Sequence, residues 1–214
     1  MTQTKLIDEV VDCIDRAAKG IGRGLMHWSP NGTTRALHEH NLAMYFGREL
    51  AACAYLPFVE AAFRRHKKRK RHGESIDLVA WRSRDKALVA AEAKILFTRK
   101  DRIDDVHDDR VRLLEYLRKF KHTKDYDARP PRTRIAVLLA LPMSDRADAL
   151  CDWWLQGGKP PVRARAKIWG TLEAELSTTT RHAFSLYPRG VRGVKGWADD
   201  RLLAAVWELP GKGS

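Results

Sequence analysis

Seven consecutive apolar residues, Ile135-Ala136-Val137-Leu138-Leu139-Ala140-Leu141, constrain the fold more than any other stretch of this chain. Strand side chains alternate between two faces, so an unbroken apolar run of strand length needs cover on both. Such a segment belongs inside a sheet with helices on each side. It is far shorter than the roughly 20 apolar residues of a membrane span, and no other run in the 214 residues approaches that length. The first 16 residues carry early acids and no apolar core, unlike a secretory signal. Cys13, Cys53 and Cys151 lie far apart with no CxxC pair, which argues against a zinc site or a disulfide framework. Dispersed cysteines fit a reducing cytoplasm, the expected location.

Around that strand the chain alternates helical and strand patterns. Residues 5–19 are amphipathic (Leu6, Ile7, Val10, Val11, Ile14), and the glycines at 20, 22 and 24 predict the end of that helix. These glycines do not form a phosphate loop, because no Lys-Ser/Thr follows them. A second helix is expected from Thr34 to about Tyr55, capped by Thr33 or Thr34, with Leu42, Phe46, Leu50 and Cys53 on one stripe and Pro57 beyond its end. Residues 58–63, 75–81 and 87–97 read as three strands, the last two joined by the polar turn 82–86 into an antiparallel hairpin. A helix over 103–120 precedes the apolar strand. After Pro142, a helix at 147–155 and strands at 184–187 and 202–209 complete a C-terminal extension. The expectation is one α/β domain over residues 1–214, with a core at about 34–141 and an extension at 142–214.

Forty Lys+Arg against 27 Asp+Glu give a net charge of +13. A field of that sign attracts polyanions, nucleic acid foremost. The excess is concentrated in Arg64-Arg65-His66-Lys67-Lys68-Arg69-Lys70-Arg71-His72, where seven of nine residues are permanently cationic. Arg64, Arg65, Lys67, Lys68, Arg69, Lys70 and Arg71 are candidate phosphate contacts, although a run of this kind also serves as a solvated loop. Tryptophans 153, 154, 169, 197 and 207 are read as core rather than as base-stacking platforms.

Chemistry converges elsewhere. Asp77 stands inside an apolar strand, and Glu92-Ala93-Lys94 lies in the next one. Period-2 geometry puts Glu92 and Lys94 on one face, and hairpin pairing brings Asp77 beside them. Two carboxylates are hard ligands suited to Mg²⁺ or Mn²⁺, and a neighbouring lysine can orient an attacking water. A cross-strand salt-bridge group on a solvated face is the plainer alternative.

Ile76-Asp77 followed by Glu92-Ala93-Lys94, in helix–strand–strand–strand–helix–strand order, resembles the PD-(D/E)xK nuclease superfamily over roughly residues 34–141. Isoleucine stands where the family pattern has proline. The resemblance implies a restriction-endonuclease-like αβββαβ core, Asp77 and Glu92 as metal ligands, and Lys94 as the catalytic lysine. It also implies a further acid from the first core helix. Glu39 lies within about 20° of the mean direction of that helix's inward stripe, and Glu49 about 60° away, so Glu39 is the choice. Glu60, in the first strand, is a weaker candidate. His38 and His40 are read as surface residues. Arg110 and Arg112 could face the site or the backbone of DNA, but a charged outer helix face carrying local ion pairs is the favoured reading.

The resulting expectation is a Mg²⁺- or Mn²⁺-dependent nuclease acting on phosphodiester bonds, with DNA as the expected substrate. The chain would work alone, as a homodimer or in a larger complex, away from membranes. The alternatives are a nucleic-acid-binding module that keeps the fold without the chemistry, and a basic RNA-associated protein.

Overall fold

The computed structural model describes residues 3–28, 38–63, 74–96, 102–120, 130–142, 147–157, 174, 176, 179–187 and 201–209. Within them run helices α1 (Gln3–Trp28), α2 (Glu39–Ala52), α3 (Arg102–Lys119) and α4 (Ala147–Gln156). The strands are β1 (Leu56–Phe63), β2 (Glu74–Arg82), β3 (Ala87–Leu96), β4 (Thr133–Pro142), β5 (Thr180–Ser185) and β6 (Arg201–Leu209). The architecture is α/β. No helix among the described residues is long and apolar enough to cross a membrane.

One mixed sheet has the order β1-β2-β3-β4-β6-β5. Only β3 and β4 run parallel, and α3 forms the crossover between them, because parallel neighbours cannot be joined by a tight turn. β4 is buried along its whole length. Ile135, Val137, Leu139 and Leu141 face the core under α1 and α2, while Ala136, Leu138 and Ala140 face the core under α3 and α4. The two-faced cover expected of the apolar run is therefore present. Trp153, Trp154 and Trp207 are core residues, with Trp154 Nε1 donating to Ala204 O at 3.1 Å. Trp169 and Trp197 lie outside the described residues.

Several expectations need correction. α1 does not stop at residue 19 but continues through its glycines to Trp28. A Cβ on Gly22 would lie 1.8 Å from Leu186 O, and one on Gly24 would lie 2.4 Å from Tyr45 Oη. Here glycine permits close approach of a backbone and a tyrosine, which outweighs its cost of about 1 kcal/mol in a helix. α2 spans Glu39–Ala52 with His38 at its N-cap, and it ends before Pro57 because Ala54 turns the chain with a φ of 64°. Thr33 and Thr34 lie outside the described residues.

Pro57 falls within β1, an edge strand, where a missing N–H is tolerated. Arg82 closes β2 instead of opening a polar turn. It is only 2% exposed, ion-paired to Glu9 and to Asp85 (2.7 Å), and stacked on the Tyr55 ring at 4.2 Å. β5 begins at Thr180, four residues before the expected strand, and Leu186 and Tyr187 follow it as buried bend residues.

Candidate active site

The candidate site forms where β2 and β3 part. Their ladder runs from Arg82↔Ala87 to Leu78↔Ala91 and stops, while β3 continues against β4 to Leu96. Strand N–H groups left without a neighbour need another acceptor. Two carboxylates supply it. Asp77 Oδ2 accepts from Ala93 N–H at 2.8 Å, and Glu39 Oε1, from the first turn of α2, accepts from Ile95 N–H at 3.2 Å. Asp77 is also irregular on its other side. The β1–β2 register skips the Glu60–Asp77 rung, and Glu60 holds a φ of 54°, which costs a non-glycine residue roughly 1–2 kcal/mol.

Glu92 and Lys94 project from the same face of β3 toward α3. Lys94 Nζ lies 2.9 Å from Asp109 Oδ2 and 3.7 Å from Glu39 Oε2. Arg112 donates through Nε to Glu92 Oε1 at 2.9 Å and through Nη2 to Asp109 Oδ1 at 2.9 Å. Asp109 and Arg112 are one helical turn apart, so both reach inward from α3. This corrects the outer-face reading of Arg112. Nor is Arg110 on an outer face: its Nε is buried and its guanidinium lies 5.6 Å from the ring of the core residue Trp207.

Glu92 is fully buried, and its Oε2 has no hydrogen-bond partner among the described residues. Burial pushes its pKa up to about 9; the Arg112 hydrogen bond opposes this, and the negative charge of Asp77 adds to it. Asp109 is raised as well, by burial first, against the attraction of Lys94. When Asp77, Glu92, Glu39 and Asp109 are all ionised, Lys94 and Arg112 neutralise two of four charges and two remain.

A divalent cation suits that excess, and Asp77 with the unpartnered Glu92 Oε2 offers hard oxygen donors. Glu39 does not complete a three-acid set with them, because it is turned onto Ile95 N–H and Lys94. Among the described residues, no group of three or more His, Cys, Asp or Glu is arranged to hold a metal ion.

The other acids are placed apart. Glu49 is bound by Arg16 at 3.1 Å and Arg48 at 2.7 Å, which hold its carboxyl below the usual range even though burial works the other way. Glu60 is exposed and paired with His40. His38 and His40 are surface residues, as expected. The basic residues Arg64, Arg65, Lys67, Lys68, Arg69, Lys70 and Arg71 lie outside the described residues. Their flanks do not: Phe63 pairs with Glu74, three positions from Asp77.

Comparison of the chain with protein-family models, with curated proteins and with solved structures gives no match. Asp109 is a site residue that sequence reasoning missed, and Arg112 one that it weighed but set on the outer face. They stand in Asp108-Asp109-Arg110-Val111-Arg112, where Asp108 and Asp109 both have Arg112 as a local partner at helical spacing. Only the seating of α3 over β3 separates inward from outward.

Proposed function

We propose that this chain is a metal-dependent nuclease of the PD-(D/E)xK type, hydrolysing phosphodiester bonds in DNA. The convergence of Asp77, Glu92 and Lys94 at the parting of β2 and β3 carries the reading. The succession α2-β1-β2-β3-α3-β4 supports a restriction-endonuclease-like core, since it reproduces the αβββαβ order.

Asp77 and Glu92 would hold Mg²⁺ or Mn²⁺. When bound, such an ion supplies charge neutralisation at the phosphate and a water of lowered pKa. Glu92 must give up its proton to serve as a ligand, and Arg112 favours that by pairing with the anion. Lys94 Nζ, steadied between Asp109 and Glu39, orients the attacking water and offsets charge on the phosphate as it becomes five-coordinate. Asp77 keeps its place through the Ala93 N–H bond. The cationic run between β1 and β2 is tethered at the Phe63–Glu74 pair near Asp77, where it would grip backbone phosphates without reading sequence.

A second reading is a nucleic-acid-binding module without chemistry, favoured by the pairing of Lys94 and Arg112 with the site's own acids. Supercoiled plasmid incubated with the protein in Mg²⁺, Mn²⁺ or EDTA separates the two. Strand breaks confined to the metal lanes support the nuclease. Plasmid retention in all lanes without breaks supports the module.

A further inference from the structure

Away from the candidate site, the contact between α1 and the end of α2 carries a pair of thiols. Cys13 lies fully buried on the inner face of α1, and half-buried Cys53 is the C-cap of α2. Their sulfurs stand 3.6 Å apart. Arg16, one turn along α1 from Cys13, donates through Nη2 to Cys13 Sγ at 3.2 Å and to Cys53 Sγ at 3.3 Å. Its Nε is anchored on Glu49 Oε2 at 3.1 Å. Buried cysteines often act simply as small hydrophobes. A guanidinium held across both sulfurs is a different arrangement, because a neighbouring cation favours the thiolate.

We propose that Cys13 and Cys53 form a redox-active dithiol that hydrogen peroxide converts into an intramolecular disulfide between α1 and the end of α2. Cys53, the more accessible sulfur, attacks as its thiolate. A peroxide oxygen bonds to Sγ, the O–O bond breaks, and the departing hydroxide takes a proton to leave as water. The product at Cys53 is a sulfenic acid. Cys13 then gives up its proton and attacks Cys53 Sγ, the S–O bond breaks, and a second water leaves. Two thiols lose two electrons and two protons, and one peroxide becomes two waters.

Burial is the main cause that raises the Cys13 thiol pKa, which suits it to the second step and not the first. Closure from 3.6 Å to a bond of about 2.05 Å falls on a segment that has already left the helix. Cys53 has a φ of −96° and a ψ of 20°, and Ala54 follows at a φ of 64°.

The test is peptide mapping by mass spectrometry after treatment of the full chain with one equivalent of hydrogen peroxide, with remaining thiols alkylated. The expected product is a Cys13–Cys53 linked peptide that lacks two hydrogens, with Cys151 alkylated; that thiol is buried in the opposite core. Arg16→Gln should slow formation roughly tenfold, and Arg16→Lys should restore part of the rate. Circular dichroism would verify that both variants are folded. Sulfinic acid at Cys53 with Cys13 still alkylated, a dimer linked through Cys53, or no reaction would each overturn the proposal. So would a folded Arg16→Gln variant that oxidises as fast as the parent chain.

Discussion

Arg112 Nε donates to Glu92 Oε1 at 2.9 Å, so a helix guanidinium reaches a carboxylate that the sheet buries completely. Arg112→Met should destabilise the fold by about 2 kcal/mol at neutral pH, because a buried acid loses a hydrogen-bonded cation. The cost should fall well below that in a Glu92→Gln background. Denaturant unfolding of the four chains measures the coupling. Equal costs in both backgrounds would show that Arg112 acts through packing alone.

Glu92 also sets a pH dependence. Its pKa is raised from 4.5 to about 9 on folding, so the folded chain binds the proton more tightly. The resulting stabilisation is fully present below the unfolded value, and it is lost as pH rises through the folded one. Between these limits the group lowers unfolding free energy by at most about 1.4 kcal/mol per pH unit. Denaturant midpoints in EDTA at pH 5 and pH 8 should therefore fall more steeply for the parent chain than for Glu92→Gln. Parallel profiles would contradict the burial account.

Gly22 is required where α1 passes Leu186. Alanine normally improves a helix by about 1 kcal/mol over glycine, yet here its Cβ would meet a backbone oxygen at 1.8 Å. The clash should win, giving a net loss of about 1–3 kcal/mol for Gly22→Ala. Gly20→Ala should cost less, since its neighbours at 2.9 Å are side-chain atoms of Tyr45 and Arg48 that can move. Thermal unfolding of both variants tests the contrast. A stabilised Gly22→Ala chain would sink it.

How much of this was legible in the sequence depended on whether the cause was local. The apolar run of β4, the β2–β3 hairpin and the shared face of Glu92 and Lys94 follow from alternation alone. Glu39 followed from helical direction, and it does reach Lys94, but only the end of the β2–β3 ladder explains why its carboxylate is held there. The glycines of α1 misled because their reason lies far along the chain, in Tyr45 of α2 and Leu186 after β5. Asp109 and Arg112 were hidden by like-spaced charges on the same helix. Arg82 looked like a turn residue because its partner Glu9 is 73 positions away.

The cationic run between β1 and β2 should set the salt dependence of nucleic-acid binding. Each phosphate contact contributes about 0.9 to the slope of log affinity against log salt on duplex DNA. Replacing Lys67, Lys68 and Lys70 with alanine should lower that slope by up to about 2.7. Titrations of labelled duplex at several salt concentrations measure it. An unchanged slope would move the phosphate contacts elsewhere on the chain.

The central claim is that Lys94 takes part in phosphodiester hydrolysis and is more than an ion-pair partner of Asp109. The direct measurement is the nicking rate of supercoiled plasmid in Mg²⁺ by the parent chain and by Lys94→Ala, at protein concentrations giving equal plasmid retention. The account predicts metal-dependent nicking that falls at least about a hundredfold in the variant, the scale of a lost water-orienting group. Nicking that persists undiminished in Lys94→Ala, or retention with no breaks by either chain, would contradict it.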